Sequence, residues 1–331
     1  MITGSKDKGK HMKKKTGLLT LLLLILFVPL PVHTVKAEEN TINLIAGEEM
    51  QLPNTFWFSK FTSNNPNVVT VDANGVVTAV HPGTTIVKQT TLTAPVEYQI
   101  NVTDVVDIVV AMGQSNMCGS GGDILESPEV SGGVHWYQNN VLSPMKKQGT
   151  LLPAFGNAYY KQTGVPVIVI QTAVGGSSSK AWLRDGLITN SVKQLRNCKK
   201  HLAKYNVTVR HIYMLWFQGE TDAKKGVGKT EYMNNLNKIF KKMKAEGTEK
   251  FLMIQIGQYR DRRYDVSTII SAQQKICKKN KNFEMVSTST KSLSKKTKWY
   301  KDNVHFNQKA LNKIGTEAGK KAALKGKNNS H

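Results

Sequence analysis

The chain has 331 residues, and its 46 lysines and arginines against 23 acidic residues give a formal charge of +23. A hydrophobic fraction of 40% is enough to bury a sizeable core, which excludes a wholly disordered chain. Three cysteines without metal-ligand or redox spacing exclude a disulfide framework.

In chain order, Lys13 to Lys15 precede an apolar run from Leu18 to Leu30, and Val35-Lys-Ala37 is a small-x-small cleavage site. This predicts a signal peptide over 1–37, because the run is shorter than the ~20 apolar residues of a spanning helix. The mature chain is therefore expected outside the cell, secreted or wall-associated, with no stable membrane anchor. Residues 38–103 are poor in lysine and rich in Thr, Val and Asn. Alternation in Val68-Val-Thr-Val71 and Gly75-Val-Val-Thr-Ala-Val80, with a tight turn at Asn74-Gly75, predicts a small all-β sandwich.

From 104 to 325 the pattern changes to α/β. Apolar runs at 105–112, 165–173, 210–217, 250–257 and 283–288 alternate with amphipathic stretches near 154–163, 187–204, 230–246, 265–279 and 307–324. This predicts a parallel five-stranded sheet in a three-layer α/β/α arrangement of flavodoxin-like order, followed by a disordered tail at 326–331. The lysine clusters at 199–200, 241–244, 278–281 and 291–301 fall at predicted helix ends and loops, and only the last holds aromatics, Trp299 and Tyr300. That suits a solvated basic surface or an anionic cell-wall polymer and gives no expectation of a nucleic-acid partner.

Three blocks carry chemistry: Gly113-Gln-Ser-Asn-Met117, Trp216-Phe-Gln-Gly-Glu220 and Asp302-Asn-Val-His305. A serine hydroxyl needs a base within reach and a third group that fixes the base's tautomer. Ser115 follows a predicted strand, and His305 with Asp302 three residues earlier fits the other two roles. An oxyanion hole also needs donors. The N–H of Ser115, an N–H in Val174-Gly-Gly-Ser177 and the amide of Gln218 are the candidates. Glu220 and Asp222 are expected to orient Gln218 and the substrate. Trp182 and Trp216 are either a sugar platform or core. Cys118 reads as a small buried filler beside Ser115, and no metal or other cofactor is expected. Spacing alone supports serine-based acyl transfer and nothing finer.

On these blocks the chain resembles the SGNH hydrolases, in the branch of sialate O-acetylesterase-like proteins and family 6 carbohydrate esterases, over about 104–325. The resemblance assigns the nucleophile to Ser115 in "MGQSNMCG", an oxyanion glycine to Gly176 in "AVGGSSSKAW", a donor to Gln218 in "WFQGETD", and base and partner to His305 and Asp302 in "DNVHFN". Gln114, Asn116, Glu220 and Trp182 are the expected substrate contacts. Gln218 stands where the family name implies Asn, and Ser177-Ser-Ser departs from the usual second block. The segment "FTSNNPNVVTVDANGVVTAVHPGTTIV" resembles bacterial Ig-like group 2 domains and is expected to be a spacer. Together the resemblances imply a secreted serine esterase removing O-acetyl groups from sialic acid, cell-wall or plant glycan. The alternatives are an esterase for other small acyl esters and a non-catalytic glycan-binding surface protein.

Overall fold

The computed structural model describes residues 40–53, 58–92 and 94–327. The expected signal peptide and residues 328–331 lie outside the described residues. Among the described residues, no helix is long and apolar enough to cross a membrane.

The first part contains β1 (Thr41–Ile45), β2 (Glu49–Gln51), β3 (Lys60–Ser63), β4 (Val69–Val71), β5 (Val76–Ala79), β6 (Gly83–Thr90) and β7 (Val96–Thr103). They form a four-stranded sheet of order β1-β7-β6-β3 and a three-stranded sheet of order β2-β5-β4. Alternate residues face inward, as the pleat requires: Val77 and Ala79 from one sheet, and Val87, Tyr98, Ile100 and Val102 from the other, are buried. The turn read from Asn74-Gly75 joins β4 to β5, with Asp72 Oδ1 accepting from the N–H groups of Asn74 at 2.9 Å and Val76 at 2.8 Å.

This part is not a tethered spacer. One residue, Asp104, separates β7 from the first strand of the α/β part. Glu48, with no exposure, accepts from Ile45 N–H at 2.8 Å and lies 2.6 Å from Nδ1 of the equally buried His135. His201 Nε2 meets the Gly47 carbonyl at 3.2 Å. A buried carboxylate holds its place only when it is paired and hydrogen-bonded, so this contact fixes the two parts against each other.

The α/β part runs β8 (Val105–Gly113), α1 (Ser115–Cys118), β9 (Val134–Gln138), β10 (Val141–Pro144), α2 (Leu152–Thr163), β11 (Val167–Gln171), α3 (Ser179–Arg184), α4 (Leu187–Ala203) and β12 (Thr208–Phe217). It continues with α5 (Glu220–Lys224), α6 (Lys229–Lys244), β13 (Lys250–Ile254), α7 (Ser267–Lys279), β14 (Phe283–Ser287), α8 (Thr290–Leu293) and α9 (Gln308–Lys327). The sheet order is β10-β9-β11-β8-β12-β13-β14. The five predicted strands take the flavodoxin-like order, and β8 is buried from its second residue to its last, as a central strand covered on both faces must be. The sheet is nevertheless mixed and seven-stranded, a correction to the five expected. A hairpin adds β9 in parallel and β10 antiparallel at one edge. Its turn uses Asn139 and Asn140 at φ 52° and 65°, the left-handed pair of a tight hairpin turn written without glycine. α9 continues to Lys327, past the expected boundary at 325.

Glu317 on α9 ties that helix to the end of β14. It accepts from Ser287 Oγ at 2.8 Å, Ser289 N–H at 3.0 Å, Ser289 Oγ, and Lys321 Nζ at 2.7 Å. Burial pushes its carboxyl up, but the bonds from Lys321, Ser289 and Ser287 outweigh burial and hold it at about 2. A carboxyl depressed in the folded state stabilises fully above its unfolded value and loses that contribution as pH falls toward the folded one. Glu317→Gln is expected to lower the thermal midpoint by a few degrees at pH 7, with the gap to wild type narrowing as pH is lowered from about 4.5 toward about 2. Melting curves across that range measure it, and a gap independent of pH would show that charge is not the cause.

Candidate active site

The site forms where β8, β11 and β12 end together. Gly113 closes β8 at φ 139°, and a Cβ there would lie 2.2 Å from the Phe217 carbonyl oxygen of β12, so no other residue fits. Its own carbonyl accepts from Val174 N–H at 3.0 Å and Ser177 Oγ at 3.3 Å, drawing in the turn that follows β11. Gln114 N–H donates to the Phe217 carbonyl at 3.0 Å.

Ser115 is therefore the first residue of α1, where a backbone N–H has no partner within the helix. It lines a cavity of about 450 Å³ together with Gln114, Gly176, Thr221, Tyr259 and His305. His305 Nδ1 lies 2.6 Å from Asp302 Oδ2, and Asp302 Oδ1 accepts from the N–H groups of Val304 and His305 at 2.8 Å each. Burial pushes the Asp302 carboxyl up, but the bonds from the His305 ring and these two N–H groups outweigh it, so it stays below the usual carboxylate range. An ionised Asp302 makes Nδ1 the protonated nitrogen of a neutral ring and leaves Nε2 as the basic one. The geometry thus brings Ser115, His305 and Gly176 to one cavity, with Asp302 paired to the His305 ring. Gly176 sits in a turn at φ 68°, and Gly175 approaches the Ser115 side chain.

Gln218 does not face this cavity as an amide donor. It is fully buried, and its Nε2 donates to Asp222 Oδ2 at 2.5 Å and the Ser177 carbonyl at 3.0 Å, with Gln114 Oε1 at 3.3 Å. All three partners are acceptors, so the amide cannot be turned round. Gln114 has the complementary arrangement. Its Oε1 accepts from Gly219 N–H at 3.4 Å, Thr221 N–H at 3.2 Å and Gln218 Nε2, which fixes its own Nε2 on the other branch, without a protein acceptor, in a residue on the cavity wall. The side-chain donor beside Ser115 is thus Gln114.

The other expected substrate contacts are structural. Asn116, 1% exposed, donates to Glu220 Oε1 at 2.7 Å and the Val304 carbonyl at 3.3 Å, and accepts from Phe306 N–H at 3.1 Å. It binds the Trp216–Glu220 block and the His305 loop to α1. Glu220 orients Asn116, not Gln218, which belongs to Asp222. Burial holds both carboxyls above the usual range, against the donors from Asn116 on one and from Ser179 and Gln218 on the other. Trp182 is core: it has no exposure, donates to Ser177 Oγ at 2.9 Å and packs edge-on against Trp216 with ring centroids 5.3 Å apart. Burial raises the Cys118 thiol, against N–H groups of Cys118 and Gly175, which disfavours a thiolate beside Ser115.

Residues that the motifs did not point to complete the wall. Tyr259 and Tyr264 meet edge-on at 5.0 Å, and Tyr259 donates to the Glu220 carbonyl at 3.0 Å. Their one sequence signal is position, since they follow the C-terminal end of β13. A second cavity of about 380 Å³ shares Gly176 and carries Lys180, Arg184 and Lys225, with Asp185 paired to Arg184 at 2.6 Å.

The sequence model of a family described as "Carbohydrate esterase, sialic acid-specific acetylesterase" matches residues 138–323, beginning after Ser115 and including Gly176, Gln218, Asp302 and His305. The model of a bacterial Ig-like domain matches residues 59–91. No curated protein matches. Among solved structures, a protein from Arabidopsis thaliana is similar at a TM-score of 0.50 and 19% identity, over 68% of this chain and 98% of that one. A carbohydrate acetylesterase from Xanthomonas citri has a TM-score of 0.49 at 14% identity, over 87% of this chain and 74% of its own. A member of the lipolytic G-D-S-L family from Veillonella parvula has a TM-score of 0.41 at 13% identity, over 64% and 96%.

The two glutamines are separable by isosteric replacement. Gln114→Glu keeps an acceptor for Gly219 and Thr221 but sets a carboxylate where negative charge develops, so kcat at pH 7 is expected to fall about 10²-fold or more with little change in thermal midpoint. Gln218→Glu sets a carboxylate against Asp222, so it is expected to lower the thermal midpoint first. Steady-state kinetics and melting curves on both variants test this, and the opposite pattern would restore Gln218 as the donor.

Proposed function

The chain belongs to the carbohydrate esterases described as sialic acid-specific acetylesterases, and from that premise we propose that it is a secreted serine esterase removing acetyl groups from an anionic O-acetylated carbohydrate. The observation that carries this reading is the Asp302–His305 pair on the wall of the cavity that also holds Ser115 and Gly176.

Ser115 Oγ attacks the acetyl carbonyl while His305 Nε2 takes its proton, and Asp302 stabilises the imidazolium that forms. The tetrahedral oxyanion is met by the N–H groups of Ser115 and Gly176 and by the Gln114 amide. Collapse breaks the ester bond, and His305 passes its proton to the departing sugar oxygen. Water then enters, gives a proton to the same nitrogen and attacks the acetyl-enzyme, which releases acetate and restores Ser115.

Substrate class rests on the wall. Tyr264, edge-on to Tyr259 and with Lys224 Nζ 5.9 Å from its ring centre, supplies an aromatic wall with a cation beside it, suited to an acidic sugar. Lys180, Lys224 and Lys225 line the paired cavities. That favours a sugar with a carboxylate or a phosphate, such as O-acetylated sialic acid or an anionic wall polymer. Action outside the cell follows from the lysine-preceded apolar run at 18–30.

Acetate release by the chain without residues 1–37, and by its Ser115→Ala variant, is the test. The substrates are p-nitrophenyl acetate and O-acetylated sialic acid, peptidoglycan and xylan. Activity on the acidic substrates is expected to exceed that on xylan and to fall at least ~10³-fold in the variant. Equal rates from both proteins would remove the esterase reading.

A further inference from the structure

A third cavity, of about 410 Å³, lies at the C-terminal end of β13 between α7 and α8, apart from Ser115 and His305. Its size is within the roughly 300–1,000 Å³ of small-molecule sites. Its floor is polar and buried. Gln255, 2% exposed, accepts at Oε1 from Gln274 Nε2 at 2.9 Å, which leaves its Nε2 with no protein acceptor in a residue that lines the cavity. That amide is open to the cavity and able to donate to a bound acceptor, and Thr290 Oγ1, on the same lining, is buried without a partner.

The rim is cationic. Arg262, Lys291 and Lys295 line it, and no Asp or Glu does. Lys291 lies in α8 and Lys295 in the turn just past its end. Arg262 is held there in a conformation that side chains disfavour, at φ 57°, where the other described non-glycine residues of positive φ are all asparagines. Its Nη2 donates to the Ser294 carbonyl at 3.1 Å, and Ser294 Oγ accepts from Gln258 N–H at 3.0 Å. Gly257 makes this approach possible, since a Cβ there would lie 2.5 Å from Ser294 Oγ.

The segment 257–264 is a wall between this cavity and the catalytic one. Gln258 and Arg262 line the first, whereas Tyr259, Arg263 and Tyr264 line the second. We propose that the cavity between α7 and α8 binds an anionic saccharide unit, its carboxylate or phosphate set among Arg262, Lys291 and Lys295 and a ring hydroxyl accepting from Gln255. Because the two cavities share a wall, this unit belongs to the same polymer as the unit that is deacetylated. The saccharide part rests on the carbohydrate-esterase reading, and the anion on these side chains alone.

The test needs no turnover, so an inactive esterase leaves it intact. Ser115→Ala protein labelled with ¹⁵N is titrated with glucuronate, glucose 6-phosphate and glucose, and amide shifts are mapped. Both acids, and not glucose, are expected to shift Gln255, Gln274 and Lys291, with the tighter acid telling carboxylate from phosphate. Lys291→Ala with Lys295→Ala is expected to weaken the binding at least tenfold. Lys241→Ala with Lys242→Ala, an equal loss of charge on exposed α6, is expected to leave it unchanged. No shift at these residues, equal shifts with glucose, or equal weakening by both double variants would each overturn the proposal.

Discussion

The catalytic arrangement depends on one crowded backbone crossing, the approach of Gly113 at the end of β8 to Phe217 at the end of β12. The two strands come so close that a Cβ at 113 would lie 2.2 Å from the Phe217 oxygen. Around that contact the Phe217 carbonyl takes Gln114 N–H, and the Gly113 carbonyl takes Val174 N–H and Ser177 Oγ. Each such bond contributes about 0.5–1.5 kcal/mol net, and orphaning a buried partner costs more. Three strand ends are thereby fixed on a residue without a side chain, and Ser115 inherits its position from all of them.

The residues on either side of Ser115 work as brackets, Gln114 in addition to presenting its amide on the cavity wall. Gln114 Oε1 gathers two backbone donors and one side-chain donor of the Gln218 block, and Asn116 joins Glu220 to the carbonyl of Val304 and the N–H of Phe306 on either side of His305. Ser115 and the Asp302–His305 pair thus share one frame although 190 residues separate Asn116 from Phe306. Holding reacting groups in place before substrate arrives is where much of a barrier's entropy can be removed. The fully buried Glu220 has no contact with the cavity, so its value is in geometry.

Much of this was legible in the sequence, for reasons that differ by element. The five central strands were visible because strands buried on both faces read as apolar runs. Ser115 was read from its place after a strand, His305 and Asp302 from their three-residue spacing, and Gly176 from the resemblance. What the motifs did not carry was direction. "WFQGETD" names Gln218, but whether its amide faces the cavity depends on Asp222 and Ser177, and the latter belongs to another block. Trp182 was ambiguous for the same reason, since a tryptophan after a strand is core or platform according to what covers it. The β9–β10 hairpin escaped because Asn139-Asn140 lacks the glycine that advertises such a turn. The Glu48–His135 contact was invisible because it joins two residues 87 apart, one in the β1–β2 turn and one on β9.

The large positive charge divides by position. Lys200, Lys241, Lys242, Lys244, Lys278 and Lys279 occupy the last turns of α4, α6 and α7, where a cation is favoured by the helix dipole and the side chain extends into solvent. Lys180, Lys224, Lys225, Lys291 and Lys295 line cavities instead. At physiological salt a charge is screened beyond about 8 Å. The helix-end lysines therefore raise the rate of encounter with an anionic polymer only when salt is low, whereas the cavity lysines act at contact distance and keep most of their effect. On the proposed reading, selection among acidic sugars falls to this smaller group, whose members follow β11, β12 and β14.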